Sequence, residues 1–247
     1  LFFLLPPGSV SAEAEPIRRK LAAALFDSAI DFLLMHEVGH LWNGHVEYLH
    51  QKSGPQPLQE MHLGEDPKLD ITLAQALEFD ADAFAIQKVF GRAHRENPFA
   101  AFSTGLLKDH HVPGDGAYTA TWYFTWFAIY SIFRLFDEAC AVMEVPVRTH
   151  PPAALRQACL LTTVATVCAR QGWSELSMDS WASLASDAGL EAETAICRLR
   201  RMGLNSELFS EAWSGLAFDQ IQRYLETWDT LGPQLAALRH GALPVAS

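Results

Sequence analysis

The chain carries His36-Glu37-Val38-Gly39-His40 inside an apolar run that reads as helix. Histidines at i and i+4 lie on one face of a helix and can grip one metal ion. The glutamate beside the first histidine stands next to that face, where it can take the proton of a water held by the metal. This H-E-x-x-H sequence points to a zinc hydrolase, with peptides as the first substrate class to consider. Leu33-Leu34-Met35 precede the motif and Leu41-Trp42 follow it, which predicts a buried helix polar only on its metal face. The rival reading is a surface helix that holds two histidines and a glutamate by coincidence. The apolar flanks argue against it.

A catalytic zinc usually takes three protein ligands and a water. The metzincin spacing would add a histidine, but Asn43 and Val46 hold the places of its glycine and histidine, and His45 falls one residue out of phase. A better third ligand lies in Ala76-Leu77-Glu78-Phe79-Asp80-Ala81-Asp82-Ala83-Phe84-Ala85, which reads as a second amphipathic helix. Glu78 and Asp82 are four apart and share a face. One carboxylate can bind the metal while the other accepts the free ring N–H of a ligand histidine. No Lys or Arg stands between Leu69 and Gln87. A bound cation explains such an acidic cluster better than an ordinary solvated face. Asp80 lies two positions from Glu78, about 200° around the helix, and is expected to point away from the metal.

H-E-x-x-H followed by E-x-x-x-D resembles the gluzincin superfamily of zinc peptidases. Within it, Glu78-Phe79-Asp80-Ala81-Asp82-Ala83 is similar to the E-x-x-A-D box of the CAAX-prenyl-protease and HtpX-type family. Thr149-His150-Pro151-Pro152, with Arg156 just beyond, is similar to that family's His-Pro…Arg segment. Lit-type phage-exclusion peptidases are comparable in outline. The likeness spans about residues 30–160 and departs from the prenyl-protease pattern in lacking a clear set of transmembrane helices. It implies a zincin-like helical metallopeptidase core that binds Zn2+ through His36, His40 and Glu78. Glu37 would be the general base, and Asp82 would orient a ligand imidazole. The resemblance also places His150 near the zinc, as a donor to the developing oxyanion. A histidine just before Pro151-Pro152 could equally cap a helix. Tyr118 and Tyr123 are weaker candidates for the oxyanion role, and His45, His50, His62, His110 and His111 are further possible ligands.

At 247 residues and 49% hydrophobic, the chain can bury a substantial core. Its net charge of −11 disfavours nonspecific binding to nucleic acid or anionic lipid. Cys140, Cys159, Cys168 and Cys197 show neither C-x-x-C spacing nor disulfide-scaffold density and read as buried small residues. That fits a reducing, cytoplasmic setting. Leu1-Phe2-Phe3-Leu4-Leu5 before Pro6-Pro7 reads as a retained structural segment, against the tail of a signal sequence or a truncated span.

The pattern along the chain is mainly α, with little β structure. The periodicity predicts a first helix over 15–29, a metal helix over 31–51, a loop over 53–68 and a carboxylate helix over 70–89. Further helices are expected near 97–108, 117–145, 151–171, 179–188, 192–202 and 206–240, the last broken around Gly215 and Gly232. We expect a metallopeptidase core over 1–172 and a C-terminal helical subdomain over 173–247. Residues 117–133 carry no charge, but their Thr, Tyr and Ser content favours a central buried helix over a membrane span. Ser183 to Leu190, followed by Thr194, Ala195 and Leu199, faintly resembles a DNA-binding helix-turn-helix with its turn at Gly189. A plain helical hairpin explains the same residues.

Three functional classes follow. The first is a zinc peptidase acting on protein or peptide. The second is a regulatory protein of metallopeptidase fold whose helical tail binds DNA or a partner. The third is a metal-stabilised binding protein without turnover, which the presence of Glu37 disfavours, since a structural zinc needs no base.

Overall fold

The computed structural model of the protein describes residues 14–53, 71–102, 116–136, 153–204, 210 and 215–240. Residues 1–13, the 54–70 stretch, Cys140 and His62, His110, His111 and His150 lie outside the described residues. The fold is mainly α. Among the described residues there are seven α-helices and no strand: α1 Ala14–Trp42, α2 His45–Ser53, α3 Ile71–Glu96, α4 Gly116–Phe136, α5 Ala153–Gln171, α6 Met178–Arg200 and α7 Gly215–Ala236.

Helix α1 absorbs both the expected first helix and most of the metal helix. Nothing between Pro16 and Trp42 breaks it: Pro16 sits in the first turn, where its missing N–H costs nothing, and Glu15 holds Arg18 and Arg19 at 2.6 and 2.9 Å. The helix stops at Asn43-Gly44, earlier than the expected end near 51. Gly44 has φ +79, a left-handed conformation that ends a helix at little cost for glycine. Its N–H bonds the Leu41 carbonyl at 3.3 Å, and α2 begins at His45.

Helix α4 is the buried centre, as its uncharged aromatic sequence predicts. It packs against α1, α3, α5 and α6. Trp122 and Trp126 are fully buried, and both meet Phe90 of α3 at 5.3 Å between ring centroids, one stacked and one edge-on. Burying such rings contributes about 1.5–3 kcal/mol each or more. Among the described residues, no helix is long and apolar enough to cross a membrane.

Two expectations about the C-terminal half are corrected. Helix α6 runs unbroken from a Ser177 cap, whose side chain accepts from the Ser180 N–H, to Arg201 in the left-handed region. Gly189 is buried inside it, so the turn that a helix-turn-helix requires does not form. Helix α7 likewise runs through Gly232 and Pro233. Near 97–108, only a 3-10 turn at Ala100–Phe102 is described. Trp181, Leu184 and Ala188 of α6 join the same core cluster as residues of α1, α3, α4 and α5. Cys159, Cys168 and Cys197 are free and buried, as their sequence setting suggests.

Candidate metal centre

Helices α1 and α3 pack closely because small residues meet. A Cβ on Gly39 would stand 3.1 Å from Ala81 Cα and 3.2 Å from its carbonyl oxygen. That close approach brings the last turns of α1 onto the second and third turns of α3. His36 and His40 lie one turn apart with ring centroids 4.8 Å apart, and both turn Nε2 towards the same point, 3.1 Å from each other. Glu78 straddles them, with Oε2 3.4 Å from His36 Nε2 and Oε1 3.4 Å from His40 Nε2.

These spacings fit a metal. Ligands about 2.0–2.1 Å from a tetrahedral zinc stand roughly 3.3 Å from one another. The two histidine nitrogens, 3.1 Å apart, stand near that edge length, each has one Glu78 oxygen 3.4 Å away, and one ligand atom from each residue lies within 4.8 Å of the others. His36 and Glu78 are buried and His40 is half-buried, so one side of the triangle keeps access to solvent.

Asp82, one turn beyond Glu78, backs the first histidine. Its Oδ1 lies 2.8 Å from His36 Nδ1, and Arg156 of α5 donates to Oδ1 and Oδ2 at 2.6 and 2.8 Å. The Arg156 guanidinium also lies over the Phe133 ring, 3.9 Å from its centroid. Burial would raise the Asp82 carboxyl, but the Arg156 charge and the His36 hydrogen bond outweigh it and hold its pKa below the usual value. For His36, burial works against the charged ring, but Asp82 and Glu78 outweigh it and raise the pKa to about 10.

His45, named only as a further possible ligand from sequence, forms a second arm. The Asn43-Gly44 turn swings it back so that its Nδ1 lies 3.0 Å from His40 Nδ1. Its Nε2 lies 3.1 Å from Asp80 Oδ2, which also accepts from Asn43 Nδ2 at 2.6 Å. Asp80 is outside the His36, His40 and Glu78 triangle, as its helical angle predicts, yet it reaches the triangle's far side through His45. Burial lowers the His45 pKa, outweighing the Asp80 carboxylate.

The sequence expectation of fully buried apolar flanks is corrected. Leu34, Leu41 and Trp42 are exposed, while Met35 packs against the core. Glu37 is half-buried on α1, between these two kinds of surface. Tyr118 and Tyr123 do not join the centre. Tyr118 stacks on His94, which is sixteen residues and about 24 Å along α3 from Glu78, and Tyr123 lies beside Glu191 and Asp187 of α6.

Two histidines and a glutamate thus converge from two packed helices as a group that could hold a metal ion. The chain matches the family model described as Peptidase U49 over residues 4–106, a span that holds His36, Glu37, His40, Glu78 and Asp82. The match supports a peptidase family, a hydrolase whose substrate is protein or peptide. No curated protein and no solved structure gives a significant match.

Proposed function

We propose that the protein is a zinc-dependent peptidase of gluzincin type, held to its metal by His36, His40 and Glu78. The observation that carries this reading is the convergence of His36, His40 and Glu78, whose ligand atoms lie within 4.8 Å of one another, on residues spaced as H-E-x-x-H and E-x-x-x-D. Support for peptide as the substrate comes from the family match over residues 4–106. Two neutral imidazoles and one carboxylate leave a bound zinc net positive, which acidifies a water and polarises a carbonyl.

The chain's own groups then have separate tasks. Glu37 takes a proton at its carboxylate from the attacking water and passes it to the leaving amine. Asp82 accepts the His36 Nδ1 proton and so keeps Nε2 free to bind. Arg156 keeps Asp82 ionised. His150 is the candidate donor to the oxyanion.

The test is metal analysis of the pure protein, joined to cleavage mapping on a peptide library with the parent and Glu37→Gln. One zinc per chain is expected in both. Hydrolysis should fall by about 10²–10⁴-fold in the variant, because the ligands persist while the base is gone. Equal cleavage by both proteins would remove Glu37 from the mechanism.

A further inference from the structure

His40 is backed differently from His36. Its Nε2 faces Glu78 and His36, so its only other polar atom, Nδ1, faces His45 Nδ1 at 3.0 Å. Two ring nitrogens at that distance need one proton between them, and a neutral imidazole carries only one N–H. If His40 presents the lone pair of Nε2 to a cation, its proton must sit on Nδ1 and be donated to His45. His45 must then accept at Nδ1 and carry its own proton on Nε2, where Asp80 Oδ2 accepts it at 3.1 Å. One assignment satisfies every step.

We infer that His45 and Asp80 are positioning residues for His40, forming a two-member relay that fixes its ring and its tautomer for metal binding. The inference rests on the metal reading above and extends it. His45 is fully buried, so water cannot replace Asp80 as its acceptor. Asn43 donates to the same carboxylate oxygen at 2.6 Å, which holds Asp80 in place across the α1–α2 turn. Helix α3 thus backs both histidines with its own carboxylates: Asp82 directly on His36, and Asp80 on His40 through one intervening ring.

The test has two parts on the full chain. The first measures zinc affinity by competition with a chromogenic chelator for the parent, His45→Phe, Asp80→Ala, their double variant and His45→Gln, with folding checked by circular dichroism. His45→Phe and Asp80→Ala should each weaken zinc about tenfold or more, within the 10–100-fold range for groups behind a ligand. The double variant should lose no more than about twofold beyond His45→Phe, because both act through one chain of bonds. His45→Gln should recover most of the affinity, since its amide can accept from His40 and donate to Asp80. Additive losses, or unchanged affinities in a parent that binds zinc, overturn the relay alone. A parent that binds no zinc overturns the metal reading and the relay with it.

The second part needs no variant. Long-range nitrogen–proton NMR spectra of the zinc-bound parent should show His40 protonated at Nδ1 and His45 at Nε2. The opposite pair of tautomers overturns the relay.

Discussion

Replacing Arg156 by Met measures how strongly α5 is tied to the site by charge. Asp82 is 1% exposed and receives two Arg156 donors at 2.6 and 2.8 Å, with His36 Nδ1 its remaining partner at 2.8 Å. Met keeps an unbranched stem over Phe133, so the loss is chiefly that of the cation. Removing one partner of a buried pair costs about 3–5 kcal/mol, because the other charge is left in a poor medium. Arg156 keeps 12% side-chain exposure and His36 stays, so the lower end, about 3 kcal/mol, applies here. With a urea slope of about 3 kcal/mol/M, the unfolding midpoint of chelator-treated Arg156→Met should drop by about 1 M. Asp82→Asn removes the other charge and should also destabilise. Asp82→Asn with Arg156→Met removes both charges of this pair, so it should be more stable than the summed single losses by about 2–3 kcal/mol. Urea unfolding of the four proteins gives that coupling directly. Single losses that add within about 0.5 kcal/mol would refute the account of Asp82 as a carboxylate kept ionised by Arg156.

Glu78→Gln should cost most of the zinc affinity, whereas Asp80→Asn, which keeps an acceptor for His45, should be the mildest change among Glu78, Asp80 and Asp82; chelator competition ranks them. Gly44→Ala should destabilise by about 1–3 kcal/mol, because its backbone is left-handed at φ +79 and the new Cβ would lie 2.7 Å from Leu238 Cβ; thermal unfolding reads the loss. Glu193, buried at the α4–α6 contact, accepts from Arg134 and Tyr130, and these bonds outweigh burial to hold its pKa below the ordinary value. A depressed folded pKa adds stability that is present above the unfolded value near 4.5 and lost as pH falls through the folded one. Unfolding titrations should therefore show acid weakening in the parent that is smaller in Glu193→Gln, a variant already less stable at neutral pH.

The grouping of the candidate ligands on two helix faces was legible because its information is local. The i, i+4 spacing of His36 and His40, and of Glu78 and Asp82, fixes which side chains share a helix face before any packing is known. The buried α4 was legible for a similar reason, through its uninterrupted aromatic content. The relay was not, because it depends on the turn at Asn43-Gly44. Read as one continuous helix to residue 51, the sequence leaves His45 out of phase; only the left-handed Gly44 brings it back onto His40. Gly189 misled in the opposite sense. A glycine flanked by small and apolar residues marks a turn or a tight helix contact equally well, and local sequence does not distinguish them. Arg156 has no local cue at all to its partner, since Asp82 lies 74 residues earlier.

The turn that re-aims His45 is itself closed from far along the chain. Leu238 covers Gly44, and the His240 N–H bonds the Trp42 carbonyl at 2.9 Å. Leu231 and Leu235 meet Tyr48 of α2 and Leu77, the residue beside Glu78, in one apolar cluster. During synthesis, then, His36, His40 and Glu78 leave the ribosome long before the residues that seat their supports. The turn that aims His45 is therefore closed by residues made long after it, so the support behind His40 waits on the far end of α7.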